Sequence, residues 1–122
     1  MSMFEFEYYD WNEFSTFLKA LPLKERTKFA GTIAKIEDQG LYVAARQRWT
    51  RKIDGQIHLL EIRSKFSSNI VRAPFFKSSD GKYVITHGFK KKSQKMPKKE
   101  LDKALKRREL YEKKYGVKKH HE

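Results

Sequence analysis

The sequence predicts an α+β domain, with two N-terminal helices packed on one face of an antiparallel-rich sheet in the order β-α-α-β-β-β-α. Three observations carry this reading. Alternating runs around 4–8, 57–64, 70–77 and 83–89 have the two-residue period of strands. Apolar residues at 11–21, 23–37 and 101–111 recur at helical spacing. Between the last strands stand Ser67-Ser68-Asn69 and Ser79-Asp80-Gly81, residue types that favour turns.

The elements follow in order. Phe4-Glu5-Phe6-Glu7-Tyr8 alternates apolar with acidic and reads as a half-buried strand. Asp10 is placed to cap a helix from Trp11, with Glu13 three residues on as in a capping box. Trp11, Phe14, Phe17, Leu18 and Leu21 give that helix its apolar face, and Pro22, lacking an N–H, breaks it. Leu23, Thr27, Ala30, Ile33, Ala34 and Glu37 mark the face of a second helix, ended by Gly40. Residues 41–55 read as an irregular basic connection around Trp49, closed by the Asp54-Gly55 turn. Three strands come next. The final helix opens at Pro97, shows Leu101, Ala104, Leu105 and Tyr111 on one side, and ends at Gly116. The domain spans 1–116, and 117–122 is expected to fray.

Composition narrows the chemistry. The 122 residues suit one domain, and 39% hydrophobic with 14% aromatic content is too much for a disordered chain. The absence of Cys removes disulfide scaffolds, thiolate metal sites and cysteine nucleophiles. Neither a membrane-spanning run nor a signal-peptide pattern is present, so the expectation is a soluble cytoplasmic protein. The net charge of +13 is uneven: −2 over residues 1–42, +5 over 43–80 and +10 over 81–122. Such asymmetry points to a polyanion, nucleic acid first, against the plainer alternative of a solvated lysine-rich helix.

Strand parity then sorts the side chains. Glu61 and Arg63 face opposite to Leu60 and Ile62, Arg72 alternates with Val71 and Ala73, and His87 shares a parity with Ile85 and Phe89. Antiparallel pairing is expected to bring Arg63, Arg72 and His87 together, with the Lys90–Lys95 run leaving from the same end. Cations around one imidazole, with no carboxylate cluster, suit cleavage of an RNA phosphodiester by its own 2′-hydroxyl. Charge gathers on the nonbridging oxygens, where fixed Arg or Lys donors stabilise it, and a His near neutral pKa can move the proton. The plainer alternatives are that Glu61 pairs with Arg63 or Arg72, that His87 is structural, and that Trp49 anchors the core rather than stacking on a base. His120-His121 has no third ligand at suitable spacing, so no metal site is expected.

The stretch from Gly55 to Arg63, then Ile70-Val71-Arg72, then His87-Gly88-Phe89-Lys90-Lys91-Lys92-Ser93-Gln94-Lys95-Met96-Pro97-Lys98-Lys99-Glu100, resembles the RelE/ParE toxin superfamily, most nearly its phage-derived HigB-like branch. The resemblance covers about residues 3–115. It implies the RelE-like fold and the toxin of a type II toxin–antitoxin pair. The implied activity is metal- and cofactor-independent mRNA cleavage, commonly at the ribosome, and the implied partner is a helix-turn-helix, HigA-like antitoxin. Carried over by residue, Arg63 and Arg72 hold the scissile phosphate and His87 transfers the proton. Lys65, Lys90, Lys91, Lys92 and Lys95 bind the RNA. Two rival readings remain open: a non-nuclease toxin of this fold acting on DNA gyrase, and a non-enzymatic nucleic-acid-binding phage protein.

Two departures from the family pattern have structural consequences. Met96 replaces a frequent Thr, which leaves the last helix loosely capped or capped by Ser93. Pro74 interrupts a strand and predicts a bulge or unpaired edge near Arg72.

Overall fold

The computed structural model describes residues 2–117. Its elements are β1 (Glu7–Tyr8), α1 (Trp11–Ala20), α2 (Leu23–Gln39), α3 (Leu41–Arg46), β2 (Thr50–Lys52), β3 (Leu59–Phe66), β4 (Asn69–Lys77), β5 (Tyr83–Ile85), β6 (Phe89–Lys91) and α4 (Lys98–Tyr115). The sheet runs β1-β5-β4-β3-β2, with β6 also pairing β4. Among the described residues only β1 with β5 is parallel, and every other pairing is antiparallel. The α+β class therefore holds, with a mixed sheet.

Phe14, Phe29, Ile33 and Ile36 of α1 and α2 pack with Ile62, Ala73, Phe75 and Ile85 on one face of the sheet. On the other face Leu59, Phe76 and Val84 meet Tyr111 of α4, flanked by Leu101 and Leu105. Among the described residues, no helix is long and apolar enough to cross a membrane.

Several expectations are corrected. The supposed irregular connection contains α3 and β2. Six and three residues are too few for a period to declare itself, and Thr50–Lys52 becomes a strand by pairing with Leu60–Ile62. The first strand is only two residues long, because upstream N–H groups turn to Glu37: Met3 donates to its carbonyl at 2.8 Å and Phe6 to its carboxylate at 2.8 Å. In α2 the buried side chains are Glu25, Phe29, Thr32, Ile33 and Ile36, whereas Leu23, Ala30 and Ala34 are exposed. The larger Phe29 and Ile36 rotate the helix away from the expected face. Asp10 does cap α1, accepting from the Glu13 N–H at 3.0 Å, but the Glu13 carboxylate binds Arg107 instead of closing a box. Helix α4 starts after Pro97 without a side-chain cap, and Ser93 bonds within its own loop to the Lys95 N–H at 3.2 Å. Val117, expected to fray, donates to the Ser79 hydroxyl at 2.9 Å; the rest of the expected tail, with His120 and His121, lies outside the described residues.

The expected third strand is split. Phe75 pairs with Ile85 and Arg72 with Phe89, so Thr86, His87 and Gly88 stand opposite only Ala73 and Pro74. One extra residue on one strand is a bulge. Pro74 accepts from the Thr86 N–H at 2.9 Å on that edge but has no N–H to return. The bulge foreseen at Pro74 thus forms in the neighbouring strand, while the β3–β4 register continues unbroken through Glu61 opposite Pro74.

Candidate nucleic-acid interface

Two rows of side chains cross the α4 face of the sheet. Directly paired residues point the same way, so Arg63, Arg72 and Phe89 form one row and Lys65, Ile70 and Lys91 the next. Helix α4 covers the other end, through Tyr111 against Phe76 at 5.7 Å between ring centroids. Over the row of arginines lies the loop from β6 to α4.

Arg72 holds that loop. Its Nε and Nη2 donate to the two Glu61 oxygens at 2.8 Å each, and Nη1 donates to the carbonyls of Ser93 at 2.9 Å and Lys95 at 3.2 Å. The guanidinium also lies 5.3 Å from the Phe89 ring centroid, and the residue is 0% exposed. Its donors are committed and no surface reaches solvent. Arg72 was expected to hold the scissile phosphate; its placement instead makes it the anchor of the basic loop.

Arg63 is placed differently. Its side chain is 19% exposed, with Nε 3.1 Å from Glu61 Oε1. That Nε–H makes no aligned hydrogen bond, while Nη2 donates to the Gln94 side chain. Glu61 is already gripped on both oxygens by Arg72, so Arg63 shares a spent carboxylate. Burial, then repulsion from Arg51, pushes its pKa below the usual arginine value. A partly exposed, under-compensated guanidinium is a docking point for an anion, and its planar fork suits phosphate.

His87 lies in the bulge beneath α4, 2% exposed. Nδ1 is 2.9 Å from the Thr86 hydroxyl and Nε2 is 3.1 Å from Glu100 Oε1. Burial foremost, then the Lys103 charge, pushes its pKa down to about 4, against the opposing pull of Glu100. The ring stacks on Phe89 at 5.8 Å between centroids, so Phe89 touches both His87 and Arg72. Sequence parity thus brings the three expected residues into one neighbourhood, but the imidazole is neutral at physiological pH and both ring nitrogens are engaged. A proton-transfer role needs an accessible group with a pKa near neutrality, and this one is neither.

The lysines divide. Lys65, Lys91, Lys92 and Lys95 are exposed. Lys90 points to the opposite face, since it pairs with Val71, and its amine lies 3.4 Å from Glu25 of α2. It is not part of the same surface. Sequence reading missed two contributors. Arg51 donates to the Gln94 carbonyl at 2.7 Å, and Gln94 itself is held between Arg51 and Arg63. The available signal was Arg51 pairing with Glu61 across β2 and β3, legible only once β2 is recognised. Among the described residues no three His, Asp or Glu side chains gather as a metal would require. The donor set is cationic and suits a polyanion.

No curated protein matches the chain. Residues 16–109, from within α1 to within α4, match the family described as phage derived protein Gp49-like (DUF891). With more than half of its length matched, the chain belongs to this phage-derived Gp49-like family, a family of RelE/ParE-like toxins.

Proposed function

We propose that the protein is the toxin of a type II toxin–antitoxin pair, with a RelE-like, HigB-like fold, and that it cleaves mRNA in the cytoplasm, at translating ribosomes. The observation that carries this reading is Arg63, an under-compensated guanidinium flanked by exposed Lys65 and Lys91 on one face, with exposed Lys95 in the loop that Arg72 holds there. Family membership supports the toxin role. Its partner in this reading is a helix-turn-helix antitoxin covering that face.

In the reaction the 2′-hydroxyl gives its proton to water as its oxygen attacks phosphorus, the bond from phosphorus to the 5′-oxygen breaks, and the departing 5′-oxygen takes a proton from water. The products are a 2′,3′-cyclic phosphate and a 5′-hydroxyl. Arg63 binds the nonbridging oxygens where charge accumulates; loss of one such donor typically costs ~10²–10³ in rate. Lys65, Lys91, Lys92 and Lys95 fix the backbone so that the 2′-oxygen lies in line with the departing 5′-oxygen. Arg72 and Glu61 position the loop and touch no substrate.

The buried, neutral His87 favours a second reading: a toxin that binds its target without cutting it, with DNA gyrase as one target class and plain RNA binding as another. An end-labelled mRNA incubated with the protein and translating ribosomes separates the two. Cyclic-phosphate ends made by the wild type and lost in Arg63→Ala support the nuclease. Intact RNA, together with inhibited supercoiling by gyrase, supports the second reading.

A further inference from the structure

Beside the arginine row, a cleft of about 370 Å³ opens between α2 and the end of β3. Lys28, Lys35, Arg48, Arg63 and Lys65 line it, and no Asp or Glu does. Trp49 forms part of its wall, half-buried, with the Lys35 amine 5.7 Å from the ring centroid. The volume falls within the ~300–1,000 Å³ of ordinary ligand sites.

Two lining residues contradict their local structure. Gly31 sits inside α2, where Ala is more stable. A Cβ there would meet nothing within 4 Å, so packing does not demand the glycine. Its effect is to keep the cleft floor open. Arg48 shows the converse. Helix α3 ends with the Trp49 N–H on the Ala44 carbonyl at 2.9 Å and the Arg48 N–H on the Ala45 carbonyl at 3.1 Å. This end puts Arg48 in the left-handed region, φ +62°, a position glycine ordinarily fills. A side chain is kept where none is comfortable, and one is omitted where it would fit. Both choices make the cleft larger and more basic, and such breaks with local preference concentrate at functional sites.

We propose that this cleft is a second subsite for single-stranded RNA, seating one unpaired nucleotide with its base on Trp49 and its phosphates drawn to Lys28, Lys35 and Arg48. The proposal rests on the RNA-cleaving reading above. Arg63 and Lys65 stand where β3 is no longer paired with β2 and also line the cleft, so a strand held at Arg63 reaches it by passing round that edge of the sheet. A single strand is required because only an unstacked base offers its face to an aromatic ring.

The test uses the full chain carrying Trp11→Phe, which leaves Trp49 as the sole tryptophan. A short 2′-O-methyl oligouridine, which cannot be cleaved, is titrated while Trp49 emission and RNA anisotropy are recorded. The expected result is quenching that saturates with binding. Gly31→Leu, which fills the floor, and Arg48→Gly, which relieves the backbone, should each weaken binding about 5- to 100-fold, the scale of one stacked base. Both should keep or raise the melting temperature; if Gly31→Leu fails to fold, Arg48→Gly carries the test. Full-affinity binding by both variants, or saturation without any change in Trp49 emission, overturns the subsite and leaves the Arg63 reading standing. An oligonucleotide that does not bind the parent protein at all overturns both.

Discussion

The Arg72 guanidinium lies against the Glu61 carboxylate through two parallel hydrogen bonds of 2.8 Å, with both side chains at 1% exposure or less. A buried pair of this kind adds little net stability over well-packed apolar residues, but breaking it strands a charge. Its third donor reaches the Ser93 and Lys95 carbonyls, so the pair fixes the position of the lysine-rich loop.

Arg72→Ala should therefore act on folding first. It leaves Glu61 buried without its main partner and should lower the unfolding free energy by about 3–5 kcal/mol in urea denaturation. The double variant Glu61→Leu, Arg72→Met should recover most of that loss. Any activity it still lacks measures the positioning of the loop together with that of Arg63, whose Nε lies 3.1 Å from Glu61.

The lysines should separate by the face they occupy. Lys91→Ala should weaken RNA binding and reduce the slope of log affinity against log salt by about 0.7, as for one lost contact to a single strand. Lys90→Ala, whose amine serves Glu25, should leave that slope unchanged. Anisotropy titrations at several salt concentrations give both numbers.

His87 sets an acid limit. Its pKa is about 4 in the fold, against an ordinary value of 6.5. The unfolded chain then binds the extra proton between these values, so stability is full above pH 6.5 and falls as pH drops toward 4. The slope reaches at most about 1.4 kcal/mol per pH unit. His87→Gln should lack this part of the slope when unfolding curves are compared across that window.

Gly88 is fixed by contact. A Cβ there would lie 2.5 Å from two carbons of the Phe17 ring, where the bulge presses on α1. Gly88→Ala should cost about 1–3 kcal/mol of stability through overpacking, read from denaturant midpoints, whereas Gly31→Ala should not destabilise.

Where side chains follow a long period, the sequence was legible. The face of α4 and the strand parity that groups Glu61, Arg63 and Arg72 are of this kind, as is the meeting of His87 with that group. The short elements were not: α3 is too short to show a period, and β2 becomes a strand only by pairing with β3. Depth was also hidden. Parity tells which face Arg72 and His87 occupy, but not that the β6–α4 loop and α4 close over them. Pro74 announced an interruption that the neighbouring strand absorbs, because a missing N–H is felt by its partner. Lys90 looked like part of a run, and one residue of register sends it to the other face.

The role proposed for Arg63 is to make this protein an RNA-cleaving enzyme. Primer extension on a defined mRNA in a purified translation reaction tests it, with ribosomes present and omitted and Arg63→Ala beside the wild type. New 5′ ends from the wild type, reduced by about 10²–10³ in the variant at unchanged stability, are the expected result. Equal cleavage by both proteins, or growth arrest on expression with no new ends from either, would contradict it.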